Sequence, residues 1–291
     1  MHKHLLCALI LSICFPCASR ALAEGDITVQ KTGVDLLVSG QNNSNQSFAI
    51  VPGNVAAQVI FYRLDEKTTF NGQPFLVVDG FTGDMAMSLG TGNKVVVFSE
   101  GDEEYLTFHG DLQIDSIGSD SVGLIFDTVW VNGDTEISTR HGNDSLITIG
   151  TTFAGRLSIN TFQGDDAVYI GGDTGIMGPV EINSHAGRDY ILWFSATANG
   201  FVNVDAGGGN DKVAFYYAGF GFLNVHGQAG IDLLEFYRPQ QQFYLFQRRS
   251  IEDFYRGNQV GGFPAISDEA QEDIPEFAFL IFVYQWLQLG S

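Results

Sequence analysis

Between Gly83 and Phe236 one short pattern is written seven times. It reads Gly-x-apolar-x-apolar, then a run to a second glycine, then x-Asp-x-apolar-x-apolar. The first glycines are Gly83, Gly110, Gly133, Gly155, Gly178, Gly200 and Gly221; after an opening interval of 27 the steps are 23, 22, 23, 22 and 21. The Asp position runs Asp120, Asp144, Asp166, Asp189, Asp211 and Asp232, with Lys94 in its place on the first copy. A fixed period of this size means one supersecondary unit stacked on itself, because a single copy cannot bury its own apolar face.

The first half of each copy carries an apolar pair spaced by two: Met85/Met87, Leu112/Ile114, Thr135/Ile137, Leu157/Ile159, Val180/Ile182, Val202/Val204 and Leu223/Val225. Such pairs face one side of a strand. The residues between them (Gln113, Glu136, Ser158, Glu181, Asn203 and Asn224 in the later copies) give that strand a wet face. The second half repeats the device with Val96/Phe98, Val122/Leu124, Leu146/Thr148, Val168/Ile170, Ile191/Trp193, Val213/Phe215 and Leu234/Phe236. Two inward strands, a glycine corner and a variable stretch make one coil. The expectation is an all-β, single-domain parallel β-helix of about seven coils of about 22 residues. An antiparallel sandwich is the alternative, but its hairpins would not demand a one-way register.

These repeats, which cover Gly83 to Phe236, resemble the right-handed parallel β-helix families. The resemblance implies right-handed winding, and polysaccharide lyases and hydrolases are frequent among such proteins. A second, local resemblance is to the RTX (haemolysin-type) calcium repeat, carried by Asp205-Ala206-Gly207-Gly208-Gly209-Asn210-Asp211-Lys212-Val213. It implies a Ca²⁺ site at Asp205, Asn210 and Asp211. The other corners carry Arg140-His141, Phe162-Gln163, His185-Ala186 and Gln228-Ala229 where that repeat has glycine.

Residues 1–23 read as a secretory leader: a basic start, a short apolar run and Ala21-Leu22-Ala23 for cleavage. Cys7, Cys14 and Cys17 all lie in it, so the mature chain is expected to hold no disulfide and to come from a bacterial exporter. Loss of Lys3 and Arg20 would move the net charge from −20 to −22. That charge argues against nucleic acid and anionic membranes as partners. Residues 24–82 are expected to form an N-terminal β cap with degenerate coils, 83–237 the repeats, and 238–291 a C-terminal cap and tail. The apolar run Phe277 to Leu289 is expected to cover an outer face rather than span a membrane.

Parallel stacking turns equivalent residues into columns. Carboxylates about 4.8 Å apart repel by about 3.5 kcal/mol at an effective dielectric near 20. The Asp144, Asp166, Asp189, Asp211 and Asp232 column therefore needs relief. Ca²⁺ ions shared along it would supply that. So would backbone N–H groups at the corners, helped by Arg140, Arg188 and Lys212 and by partial protonation. A second column, Ser88, Asp115, Ser138, Asn160, Asn183, Asp205 and His226, contains an asparagine ladder. Outside the second strand, Tyr169, Phe194, Tyr216 and Tyr237 form an apolar face, either covered or an aromatic platform for neutral sugars. No catalytic residues are assigned, because Arg248, Arg249 and Arg256 stand apart from the repeats and Asp165/Asp166 would point to opposite sides of a strand. The functional expectation is a secreted, non-catalytic surface for a glycan or cell-surface component, with or without calcium stabilisation. A polysaccharide lyase or glycoside hydrolase is the alternative.

Overall fold

The computed structural model describes residues 25–99, 105–116, 118, 120–237, 244–249, 251 and 253–257; of the strands Tyr244–Arg249 and Asp253–Gly257 only the backbone course is described. The described chain is all β, a parallel β-solenoid of about six turns. The first strands of successive turns bond in the order Asp35–Ser39, Met85–Ser88, Leu112–Ser116, Thr135–Thr139, Leu157–Asn160, Val180–Asn183, Thr197–Asp205, Gly219–His226 and Tyr244–Arg249. The second strands follow the same rule from Gln46–Pro52 and Lys94–Ser99 through Ala167–Gly171 and Lys212–Tyr216 to Asp253–Gly257. Every step from Met85 onward in the first sheet, and from Lys94 onward in the second, is parallel.

In the first strand the register stacks Leu112 on Met85 and Thr135, and continues through Leu157, Val180, Val202 and Leu223, as the sequence pairs require. In the second strand it differs at one turn. Leu124 lies beside Val96 and Leu146, and Phe126 beside Phe98 and Thr148, so the inward pair is Leu124/Phe126 rather than Val122/Leu124. The corner of this turn is one residue longer than in the turns that follow, and the sequence pattern, aligned on Asp120, places the pair two residues early. A slip of two preserves the inward face, because side chains alternate with period two.

A third strand, not expected from the sequence, closes each turn: Leu106–Phe108, Val129–Val131, Thr152–Phe153, Gly175–Ile176, and the openings of the two long strands Thr197–Asp205 and Gly219–His226. At two or three residues it is too short to show a period. It sends Phe108, Val131, Phe153, Ile176 and Phe220 into the core. There Phe98 and Phe126 stack at 4.5 Å, and Phe108 and Phe153 meet them edge-on at 5.9 Å. Each fully buried aliphatic or aromatic side chain contributes about 1.5–3 kcal/mol, and the single cluster runs from Ile27 to Ile251.

At the N-terminal end the parallel order breaks into hairpins. Gly25–Thr32 pairs antiparallel with Asp35–Ser39, and Gln46–Pro52, Val59–Arg63 and Phe75–Val78 form an antiparallel meander. Lys94 fastens this cap to the first repeat. Its buried ammonium donates to the carbonyl oxygens of Ser44, of Thr91 at 2.8 Å and of Gln41 at 3.2 Å. At the other end both sheets continue one strand beyond Tyr237. The expected leader (1–23) and the Phe277–Leu289 run lie outside the described residues.

Candidate functional site

The corner between the first and second strands is where the sequence concentrates its glycines and acids. In four successive turns the chain enters the left-handed region twice: at Phe162 and Gly164, His185 and Gly187, Gly207 and Gly209, Gln228 and Gly230. The second position admits only glycine. A Cβ on Gly187 would stand 1.7 Å from the Gly164 carbonyl oxygen, and one on Gly230 would stand 1.4 Å from that of Gly209. Backbones of neighbouring turns touch there, which leaves no room for a methyl group.

Two residues past these glycines, five aspartates turn into the solenoid and stack in register. Asp144, Asp166, Asp189, Asp211 and Asp232 are each at most 3% exposed. Each Oδ1 accepts a backbone N–H from the preceding turn: Val122 to Asp144 (2.7 Å), Asp144 to Asp166 (2.7 Å), Asp166 to Asp189 (2.9 Å), Asp189 to Asp211 (2.8 Å) and Asp211 to Asp232 (3.0 Å). The register puts Val122, not Asp120, at the head of this column, with Lys94 before it. Asp120 is exposed in the longer corner.

The column is dry on its other side. Among the described residues the Oδ2 atoms of Asp144, Asp166, Asp189 and Asp211 have no hydrogen-bond partner. At the start of the same corner a buried row runs through Ser116, Thr139, Thr161, Ser184 and Ala206, continuing the first-strand register. The Thr139 and Thr161 hydroxyls stand opposite Asp144 and Asp166 and favour their charged forms, yet Thr161 Oγ1, like Ser184 Oγ, stays outside hydrogen-bonding geometry. Burial dominates and raises the carboxyls: Asp144 to about 7, Asp166 to about 6, Asp189 to about 8 and Asp211 to about 6, with neighbouring carboxylates adding to the rise and the backbone N–H donors opposing it.

The three residues of the RTX-like corner each have partners of their own. Asp205 takes the Gln228 amide at 2.7 and 2.8 Å and the Gly207 N–H at 3.2 Å. Asn210 Oδ1 accepts from Ile231 N–H at 3.0 Å, and Asp211 belongs to the interior column. Among the described residues no group of three or more His, Cys, Asp or Glu side chains is arranged to hold a metal ion. Residue-level patterns hid two further ladders of the same kind. Asp35, Asp84, Asp111 and Asp134 accept, in turn, the N–H of Asp84, Asp111, Asp134 and Arg156 at 2.8–3.0 Å. Asn143 and Asp165 accept from Asp165 and Arg188 at 3.0 and 2.8 Å. The signal for the first was the dipeptide repeated as Gly83-Asp84, Gly110-Asp111 and Gly133-Asp134.

The outer face of the second sheet gathers the four aromatic candidates but does not present them. Tyr169 and Tyr237 are 3% and 5% exposed; Phe194 and Tyr216 are half-buried. Phe194, Tyr216, Tyr217 and Tyr237 meet at ring centroid distances of 5.8–6.0 Å. Beside them is a charged group that the sequence did not reveal. Glu235 Oε2 accepts from Tyr216 Oη at 2.5 Å and pairs with Lys212 Nζ at 3.1 Å, and that ammonium lies 5.9 Å from the Tyr190 ring centroid. Burial, then the Glu235 carboxylate, raises the Tyr190 phenol above its usual range.

Exposed apolar surface lies instead along the edge where the third strand meets the first. Phe201 (59% exposed) and Phe222 (40%) stack at 4.8 Å, and Met177 (51%) precedes them by a turn. The column that Phe201 and Phe222 occupy starts with Asp84, Asp111 and Asp134 and changes through Arg156 and Pro179 to aromatic. Two residues along the strand run Asn203 over Asn224, and four residues along, in earlier turns, Asn160 over Asn183, the latter two bonded through their carboxamides at 3.0 Å. In comparisons with known proteins no family model matches this chain, and no curated protein or solved structure is significantly similar.

Proposed function

We propose that this is a secreted, non-catalytic solenoid whose first sheet presents a binding surface to a neutral glycan of a cell surface or extracellular matrix. The observation that carries this reading is the exposed Met177, Phe201 and Phe222 ridge beside rows of asparagine carboxamides. Apolar edges suit the C–H faces of sugar rings, and carboxamides both donate to and accept from hydroxyls. A net charge of −20 disfavours polyanionic partners. Secretion rests on the leader-like residues 1–23. In its finer form the reading includes right-handed winding and an RTX-like corner at Asp205–Asp211 that takes Ca²⁺. Calorimetry with Ca²⁺ tests the last point, and an absent heat with an unmoved melting temperature would remove it.

An array of neutral glycans, probed with the parent chain and with Phe201→Ala/Phe222→Ala, tests the binding surface. The expected result is binding that falls by about tenfold or more in the variant, with the melting temperature unchanged because both rings are exposed. Equal binding by the variant, or no neutral glycan bound by the parent, refutes it. The alternative, a carbohydrate-active enzyme, is favoured by the Glu235, Lys212 and Tyr216 group. Release of reducing ends that Glu235→Gln abolishes would establish that reading instead.

A further inference from the structure

Carboxylates that stay charged inside a protein are paired, bonded on both oxygens or bound to a cation. The interior column meets none of these conditions. One oxygen of each aspartate is committed to a backbone N–H, and the other, in Asp144, Asp166, Asp189 and Asp211, faces the interior without a partner. Opposite it is an independent set of buried groups in the same condition, Thr161 Oγ1 and Ser184 Oγ, from residues 3% and 0% exposed. Ser184 holds in its turn the place that Thr161 holds in the one before, as the adjoining register of Asn160 with Asn183 requires. Ser and Thr hydroxyls can donate to a charged Oδ2 as well as accept from an acid O–H, but only the acid form removes the repulsion between carboxyls buried and stacked turn on turn.

We propose that the buried aspartates form a proton-sharing spine: Oδ1 accepts the backbone N–H of the preceding turn, and Oδ2 holds a proton aimed at the hydroxyl row across the corner. Each proton is taken up from solvent as the turn closes and given back when it opens. The column is thereby neutral, and the repulsion that five stacked charges would bring does not arise. The charged groups acting on it from outside are Asp165 and Asp205, at the corner surface, both of which favour the neutral form; within it Asp166, Asp211 and Asp232 act on their neighbours. Burial raises all four resolved members toward or past neutrality, in keeping with this arrangement. The spine makes the solenoid a device that tightens in mildly acidic surroundings and loosens in alkaline ones.

Asparagine has the shape of a protonated aspartate, with Nδ2–H in place of the acid O–H, and cannot ionise. Urea unfolding of the full chain at pH 5 and pH 8.5 therefore separates the possibilities. Asp189→Asn is expected to match the parent midpoint at pH 5 and to exceed it at pH 8.5, whereas Asp189→Ala lowers it at both. The proposal is overturned if Asp189→Asn lowers the midpoint equally at both pH values, or if the parent is the more stable at pH 8.5. It is also overturned if Ca²⁺ raises the parent midpoint and Asp189→Asn abolishes that rise. Infrared spectroscopy keeps the question open to refutation should the variant fail to fold. The parent at pH 7 is expected to show the C=O stretch of buried, un-ionised carboxylic acid, and its absence would sink the spine.

Discussion

Gly209 sits at φ +149°, and a Cβ built there would stand 1.5 Å from the Gly187 carbonyl oxygen. The position is strained for any L side chain and also filled by backbone. Gly209→Ala is expected to destabilise the fold by about 4 kcal/mol or more, read as a drop in the urea midpoint. Gly221 supplies the control, since a Cβ there meets nothing within 4 Å and the backbone is outside the left-handed region. At this scale the sequence was legible wherever chemistry left one choice. The Gly142, Gly164, Gly187, Gly209 and Gly230 series is visible as a period because each corner needs a residue without a Cβ. The other left-handed corner was not visible. It is filled by Thr128, Gly150, Gly172, Ser195 and Tyr217, at φ 50–58°, and such a mixture carries no pattern. Likewise Lys94 declared its place by replacing an aspartate in the column, while the three carbonyl oxygens that hold it come from Gln41, Ser44 and Thr91 and obey no spacing rule.

Among elements, the short third strand shows how much packing a two-residue segment can carry. Phe153 is fully buried and meets Phe126 edge-on at 5.9 Å. Phe153→Ala is expected to cost about 3–5 kcal/mol, while Thr152→Ala, on the outward position of the same strand, should stay within about 0.5 kcal/mol; paired denaturation curves check both. The first strands were readable because six turns alternate wet and dry without exception apart from Thr135. The second strands misled at one turn only, where one extra corner residue and an aspartate at Asp120 hid that the column passes through Val122. The outer aromatic face was left open between cover and platform for a different reason. Outward-facing in a strand is a statement about direction, and burial of Tyr169 and Tyr237 depends on what lies over the sheet. Exposure fell instead to Phe201 and Phe222, which stand just outside the alternating segment where the third strand runs into the first.

For the whole molecule, the acid column sets an unusual pH response. A carboxyl whose proton affinity is raised by folding gives stability that is fully present below its unfolded value, near 4, and is lost as pH rises through its folded value. With Asp166 and Asp211 at about 6, Asp144 at about 7 and Asp189 at about 8, the urea midpoint is expected to fall steadily between pH 5 and pH 8.5. A midpoint that rises over this interval would mean that the column is ionised in the fold. Ladders, corner glycines and spine all presuppose that each turn lies on the last in register. Disulfide trapping measures this directly, in a chain whose Cys7, Cys14 and Cys17 are replaced by serine. Gln113 and Glu136 are exposed register partners on adjacent first strands, and Ser138 lies two residues out of step. Cysteines in adjacent strands at about 4.8 Å meet the Cα spacing of a disulfide. The pair Gln113→Cys with Glu136→Cys is expected to cross-link readily under mild oxidation, and Gln113→Cys with Ser138→Cys to remain largely reduced. Efficient cross-linking of the second pair with none in the first would contradict the in-register parallel winding.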